Sequence, residues 1–198
     1  MENLTELLHR VRECNYCEKH LPFGAKPILR INKTAKLLII GQAPGIKVHN
    51  SGIPWYDRSG DRLREWLSLD KTEFYNHDNI AIMPMGFCYP GVNKNGGDNP
   101  PRHECAPKWH KVLLESVPNI RLTLLVGSYA QKYYLKPPIQ KTVWLTVREW
   151  YKHLPNFFPL PHPSWRNNIQ LQKNEWFYQE LIPELRSHIK NIVKEVKI

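Results

Sequence analysis

The sequence predicts an α/β fold: a three-layer α/β/α sandwich around a short, mostly four-stranded parallel sheet. Two observations carry that reading. Four short apolar runs alternate with helical patterns along the chain, the order that parallel strands with helical crossovers require. The first run is also continuously apolar instead of alternating, as a strand covered on both faces is.

Taken in order, residues 3–13 read as a helix, with Leu4, Leu7, Leu8 and Val11 at helical spacing. Residues 36–40 form the first strand. Ser59 is the expected N-cap of a helix over 60–68 that places Leu63, Trp66 and Leu67 on one face. Residues 80–85 are the second strand, followed by a Gly/Asn/Pro-rich loop from Pro90 to Arg102 and a helix over 104–116. A third strand, 122–126, enters a helix over 128–135. The fourth, 157–160, runs into PHPSWRN, and a last helix occupies about 174–194. Both GQAPG, after the first strand, and HPSWRN, after the fourth, fall at strand carboxyl ends. Ligands bind beyond that edge in open parallel sheets.

A chain of 198 residues with 41% hydrophobic and 11% aromatic side chains is expected to fold as one domain over 1–198. No stretch is long and apolar enough for a membrane span, and the opening MENLTELLHRVREC reads as an amphipathic helix with internal charges, unlike a signal peptide. The expectation is a cytoplasmic monomer. Lys and Arg number 28 against 18 Asp and Glu, a net charge of +10. That excess suits a polyanion such as DNA, because cationic side chains release counterions from phosphates; a solubilising surface is the plainer reading.

Four cysteines occur: Cys14 and Cys17 as CNYC, then Cys88 and Cys105 flanking the loop GVNKNGGDNPPRHE. Structural disulfides are not expected in a cytosolic chain, and a thioredoxin-type pair belongs after a strand, whereas CNYC follows a helix. Four thiolates suit one tetrahedral zinc or one four-iron cluster, with four unrelated buried thiols as the plain alternative. His20, His103 and His110 lie near enough in sequence to keep mixed zinc ligands open. In PHPSWRN, two prolines stiffen the turn around His162. Ser164 offers a hydroxyl and neighbouring N–H groups to a phosphate, with Arg166, Asn167 and Asn168 beside it.

GQAPG, then GIPWYDRSGDRL, then HPSWRN together resemble the uracil-DNA glycosylase superfamily, closest to its family 4 (iron–sulphur) branch, over nearly the whole chain. That branch has GEAPG, then GRPF-x-G-x-x-G, then HPS or HPA, and its cluster cysteines share the layout of Cys14, Cys17, Cys88 and Cys105. The resemblance implies a DNA glycosylase that flips a uracil or related deaminated base, with a 4Fe-4S cluster and with zinc as the alternative. Gln42 and His162 would be catalytic, Gln42 in the water-activating loop and His162 bonding the base O2. Trp55 would stack on the flipped base, with Gly41, Met85 and Gly86 around it. Ala43, Pro44 and Gly45 would approach DNA, Ser164 would pinch a phosphate, and Trp165, Arg166 and Asn167 would flank the vacated gap.

Two positions depart from that pattern. Gln42 replaces a Glu, and an amide orients a water without taking its proton. Pro84 stands where the branch has a base-reading Asn, which leaves the backbone of Met85 or Gly86 as a substitute reader. A DNA-binding, damage-sensing member without the chemistry is therefore the alternative function.

Overall fold

The computed structural model describes residues 3–135 and 140–193. Four apolar runs pair as an all-parallel sheet: β1 (Leu37–Ile40), β2 (Ile80–Ile82), β3 (Leu122–Val126) and β4 (Phe157–Leu160), in the order β2-β1-β3-β4. Leu37 sits opposite both Ile80 and Leu122, and Val126 opposite Leu160. Every residue of β1, β2 and β3 is buried, which explains why these runs carry no polar alternation.

The helices are α1 (Leu4–Arg12), α2 (Ile46–Ser51), α3 (Arg58–Leu67), α4 (Lys71–Phe74), α5 (Cys105–Glu115), α6 (Ser128–Tyr134), α7 (Val143–Arg148), α8 (Asn168–Lys173) and α9 (Ile182–Val193). Alternate strand residues feed two cores, as the two-residue period of a strand dictates. Leu37, Ile39, Ile80, Ile82, Leu122 and Leu124 pack with Leu63 and Trp66 of α3, Leu185 and Ile189 of α9, and Phe177. Leu38, Ile40, Ala81, Met83 and Leu125 face the other way, onto α1 and α5. The three layers and the parallel sheet are as expected. Among the described residues no helix is long and apolar enough to cross a membrane.

Three local expectations are corrected. The N-cap of α3 is Asp57, not Ser59: its carboxylate accepts the Gly60 N–H at 2.8 Å. β2 stops at Ile82, short of the expected Met85. Met83 and Met85 still donate to the Ile39 and Gly41 carbonyls at 3.0 and 2.9 Å, but Pro84 has no N–H to continue the pairing that Ile82 makes with Arg30 on its other edge. The last helix runs unbroken from 176 to 193 but is not α throughout: Phe177–Leu181 form a π-turn directly before α9, whose second residue, Pro183, cannot donate back to the preceding turn. Residue 194 lies outside the described residues. The short helices α2, α4, α7 and α8 escaped the sequence reading because six residues or fewer show no legible period.

His110 of α5 is 1% exposed, with one ring nitrogen 2.6 Å from the Tyr134 hydroxyl and the other 3.1 Å from the Pro84 carbonyl. Burial holds its pKa down to about 4 against the ordinary 6.5, and the bond to Pro84 opposes this. With the folded value below the unfolded one, the unfolded chain binds more protons between those limits. The neutral histidine therefore does not penalise folding above pH 6.5, and stability falls as pH drops from 6.5 toward 4. From pH 7 to pH 5 the loss from this residue is expected to be about 2 kcal/mol. Urea unfolding at both pH values measures it, and His110→Gln should remove that share of the slope.

Candidate active-site cleft and cysteine cluster

The carboxyl ends of the strands open into a cleft of about 430 Å³. Its walls include Gly41, Gln42, Ala43, Pro44 and Gly45 after β1, Pro54, Trp55 and Asp57 before α3, and His162, Ser164, Trp165, Arg166 and Asn167 after β4. A larger cavity of about 680 Å³, lined by Met85, Arg102, Tyr129 and Tyr133 among others, shares no residue with it. The smaller cleft is the better candidate site, because it lies at the ligand-binding edge of the sheet and gathers the convergent polar groups there.

Trp55 is built into this cleft under constraint. Its φ is 59°, in the left-handed region that costs a non-glycine residue about 1–3 kcal/mol. Two glycines make the placement feasible. A Cβ on Gly41 would lie 2.6 Å from the indole Cζ2, and one on Gly60 would lie 1.7 Å from the Trp55 carbonyl oxygen. Arg64, only 6% exposed, donates to that carbonyl at 3.3 Å and to the Tyr75 hydroxyl, which itself donates to the Pro54 carbonyl at 3.0 Å. Held this way, the indole lies 5.7 Å from the His162 ring, centroid to centroid.

The His162 turn is tied down by its own successors. The Asn167 side chain donates to the His162 carbonyl at 2.7 Å, and Arg62 of α3 donates to the Ser164 carbonyl at 3.2 Å. Burial lowers the His162 pKa to about 4; the Asp57 carboxylate opposes this and Arg166 reinforces it. The imidazole is therefore neutral at physiological pH. Trp165 is 72% exposed beside the Arg166 guanidinium, 5.4 Å from its ring centroid.

Gln42 donates its amide to the Asn99 carbonyl at 3.2 Å, which directs its own carbonyl oxygen away from that contact. The loop from Pro90 to Arg102 folds back on itself: Val92 bridges Asp98, and Asn93 N–H donates to Gly97 at 2.7 Å. It brings Asp98 into the cleft, which Asp57 also lines. Neither carboxylate was singled out from the sequence. Asp57 was legible as the residue two after Trp55 in GIPWYDRSG, whereas nothing local marks Asp98 within its loop.

Met85 and Gly86, expected near the base, do not line this cleft. Their N–H groups donate to the carbonyls of Gly41 at 2.9 Å and Gln42 at 3.0 Å, so they brace GQAPG from behind. Pro84 does line the cleft.

All four cysteines are free thiols at one end of the fold, after α1, after β2 and at the start of α5. Burial pushes the Cys105 thiol up to about 12; the Phe87 N–H opposes this, and the charges of Cys88, Cys17 and Cys14 add to it. Cys88 rises to about 11, again mainly by burial. Sulphur atoms of Cys14 and Cys105 accept N–H bonds at 3.4 Å from Trp109 and Phe87. Mutual electrostatic reach and N–H donors aimed at sulphur fit a thiolate-bound metal or cluster. Among the described residues, no three metal-type side chains already stand at coordinating distance. His110 is committed to Tyr134 and Pro84, which takes it out of a mixed zinc set.

The fold and cleft define an α/β/α protein with its candidate site at the carboxyl edge of a parallel sheet. The family model for the uracil DNA glycosylase superfamily matches residues 30–186, and the chain belongs to that superfamily. The matched span contains GQAPG, Trp55, Asp98 and His162; Cys14 and Cys17 precede it.

Gly41→Ala tests the architecture of the cleft. The added methyl must displace the Trp55 ring, and overpacking of this kind costs typically about 1–3 kcal/mol. Denaturant unfolding should show that loss.

Proposed function

We propose that the chain is a DNA glycosylase that hydrolyses the N-glycosidic bond of uracil or a related deaminated base after flipping it out of DNA. The observation that carries this reading is the convergence of Trp55, neutral His162 and the GQAPG backbone in one cleft. Cleavage develops an oxocarbenium sugar and an anionic base. A neutral imidazole has one N–H to donate to that anion, and the donation strengthens as the charge forms. An indole offers the extruded base a stacking surface worth about 1–3 kcal/mol. Ser164, Trp165, Arg166 and Asn167 at the rim, with Ala43, Pro44 and Gly45, would meet the DNA backbone and the gap left by the flipped nucleotide.

The same reading places the chain in the iron–sulphur branch. Cys14, Cys17, Cys88 and Cys105 would hold a 4Fe-4S cluster, which would tie α1, the end of β2 and α5 together and take no part in the hydrolysis. Raised thiol pKa values mean that loading must release protons. Anaerobic reconstitution is expected to produce a brown protein with four irons per chain, judged by metal analysis; one zinc and no visible absorption would identify the zinc alternative.

DNA binding without base release is the second reading, favoured by Gln42 in place of a carboxylate and by Pro84 in place of an amide. Oligonucleotides containing uracil, hypoxanthine or xanthine, incubated with protein and then treated with alkali, separate the two. Strand cleavage is expected with at least one of them. His162→Ala should lower the single-turnover rate by about 10²–10³-fold, the scale seen when one transition-state donor is removed. Intact strands with all three bases would leave only the binding role.

A further inference from the structure

Gln42 leaves the cleft without the carboxylate that its loop would carry as GEAPG. Asp98 offers one from another part of the chain. It lines the same cleft as Gln42, Trp55 and His162, and its Oδ2 lies 3.5 Å from where a Cβ on Gly45 would stand. The acid is therefore seated directly against the GQAPG backbone. Among the described residues its carboxylate makes no hydrogen bond or short ion pair, so its lone pairs are available. Asp57, the other carboxylate of the cleft, spends an oxygen on capping α3 at Gly60.

The loop that presents Asp98 is held at several points. Asn99, its neighbour, donates its backbone N–H to Gly91 at 2.8 Å and its side chain to Pro90 at 3.0 Å. Arg166 donates to the Gly96 carbonyl at 3.2 Å. The third tie is Gln42 itself, through the bond from its Nε2 to the Asn99 carbonyl. A glutamate at position 42 would present an acceptor to an acceptor and lose that tie. The amide at 42 and the acid at 98 are thus complementary: one secures the loop, and the other faces the cleft.

Resting on the glycosylase reading above, we propose that Asp98 is the catalytic base that orients and deprotonates the attacking water, with Gln42 as the positioning residue that holds its loop. In this step the bond from C1′ to the base nitrogen breaks and its electron pair leaves on the base. The water oxygen bonds to C1′, one water proton passes to the Asp98 carboxylate, and the departing base anion takes up a proton from solvent. The groups facing Asp98 are Arg166 from the turn after β4, Asp57 from the α3 cap and Tyr89 from the loop after β2. Burial raises the acid's pKa, Arg166 opposes this and Asp57 adds to it, which moves it toward the range where a carboxylate is a stronger base.

Single-turnover base release by wild type, Asp98→Asn, Asp98→Ala and Gln42→Glu tests the assignment. Asp98→Asn is expected to lose about 10²-fold or more in rate, the scale of a general base, with unchanged affinity for substrate duplex. The acid limb of the pH–rate profile should disappear with it, and added formate should restore part of the Asp98→Ala rate. Gln42→Glu should be slower than wild type. Release by Asp98→Asn within about threefold of wild type, or faster release by Gln42→Glu, would overturn the proposal and leave the glycosylase reading standing. No release by wild type from any of the three bases would overturn both.

Discussion

The indole of Trp55 lies so close over Gly41 that a single methyl group there would collide with it, and much of the cleft depends on this contact. A ring at that height over the end of β1 requires a left-handed backbone at Trp55. That conformation in turn presses its carbonyl onto Gly60, where a Cβ has no room. A glycine inside α3 weakens the helix, and here the cost is offset by the position it permits. Arg64 and Tyr75 then satisfy the polar groups that the turn buries. The result is an aromatic wall beside His162, set by main-chain geometry with little freedom to relax.

Charge in the cleft is arranged differently from charge on the surface. The chain carries a net +10, which suits long-range attraction to phosphates. Inside the cleft, His162 is kept neutral by burial, and Arg166 stands at the rim between Trp165 and the Pro90–Arg102 loop. Carboxylates enter from two sides, Asp57 and Asp98. Under the proposed glycosylase reaction, a net-cationic chain with neutral and anionic groups in its cleft would suit a substrate whose backbone is negative and whose sugar becomes positive.

The two cores assign different work to the two sheet faces. One face packs α3 and α9 and thereby sets the Trp55 wall; the other packs α1 and α5, the helices that bracket the cysteines. The backbone after β2 links the two halves. Its amides at Met85 and Gly86 hold the GQAPG carbonyls, the Pro84 carbonyl meets buried His110, and Cys88 follows two residues on. The cysteine end and the cleft are thus joined by one short, hydrogen-bonded stretch of chain.

By itself the sequence determined the strands, their parallel arrangement and the edge at which the site lies. These follow from local signals: continuous apolar runs, helical spacing in α1 and α3, and Gly/Pro loops directly after Ile40 and Leu160. It also singled out Gln42, Trp55 and His162, which sit in short motifs and which the fold brings into one cleft. Tertiary structure alone decided which groups remain available to a ligand. The amides of Met85 and Gly86 look free in a linear sequence and are consumed by carbonyls 44 residues earlier in the chain. Asp98 looks like one more polar loop residue until the loop closes and places it against Gly45. Backbone commitments and through-space meetings of this kind depend on how loops close between strands, and no period or motif in the sequence encodes that closure.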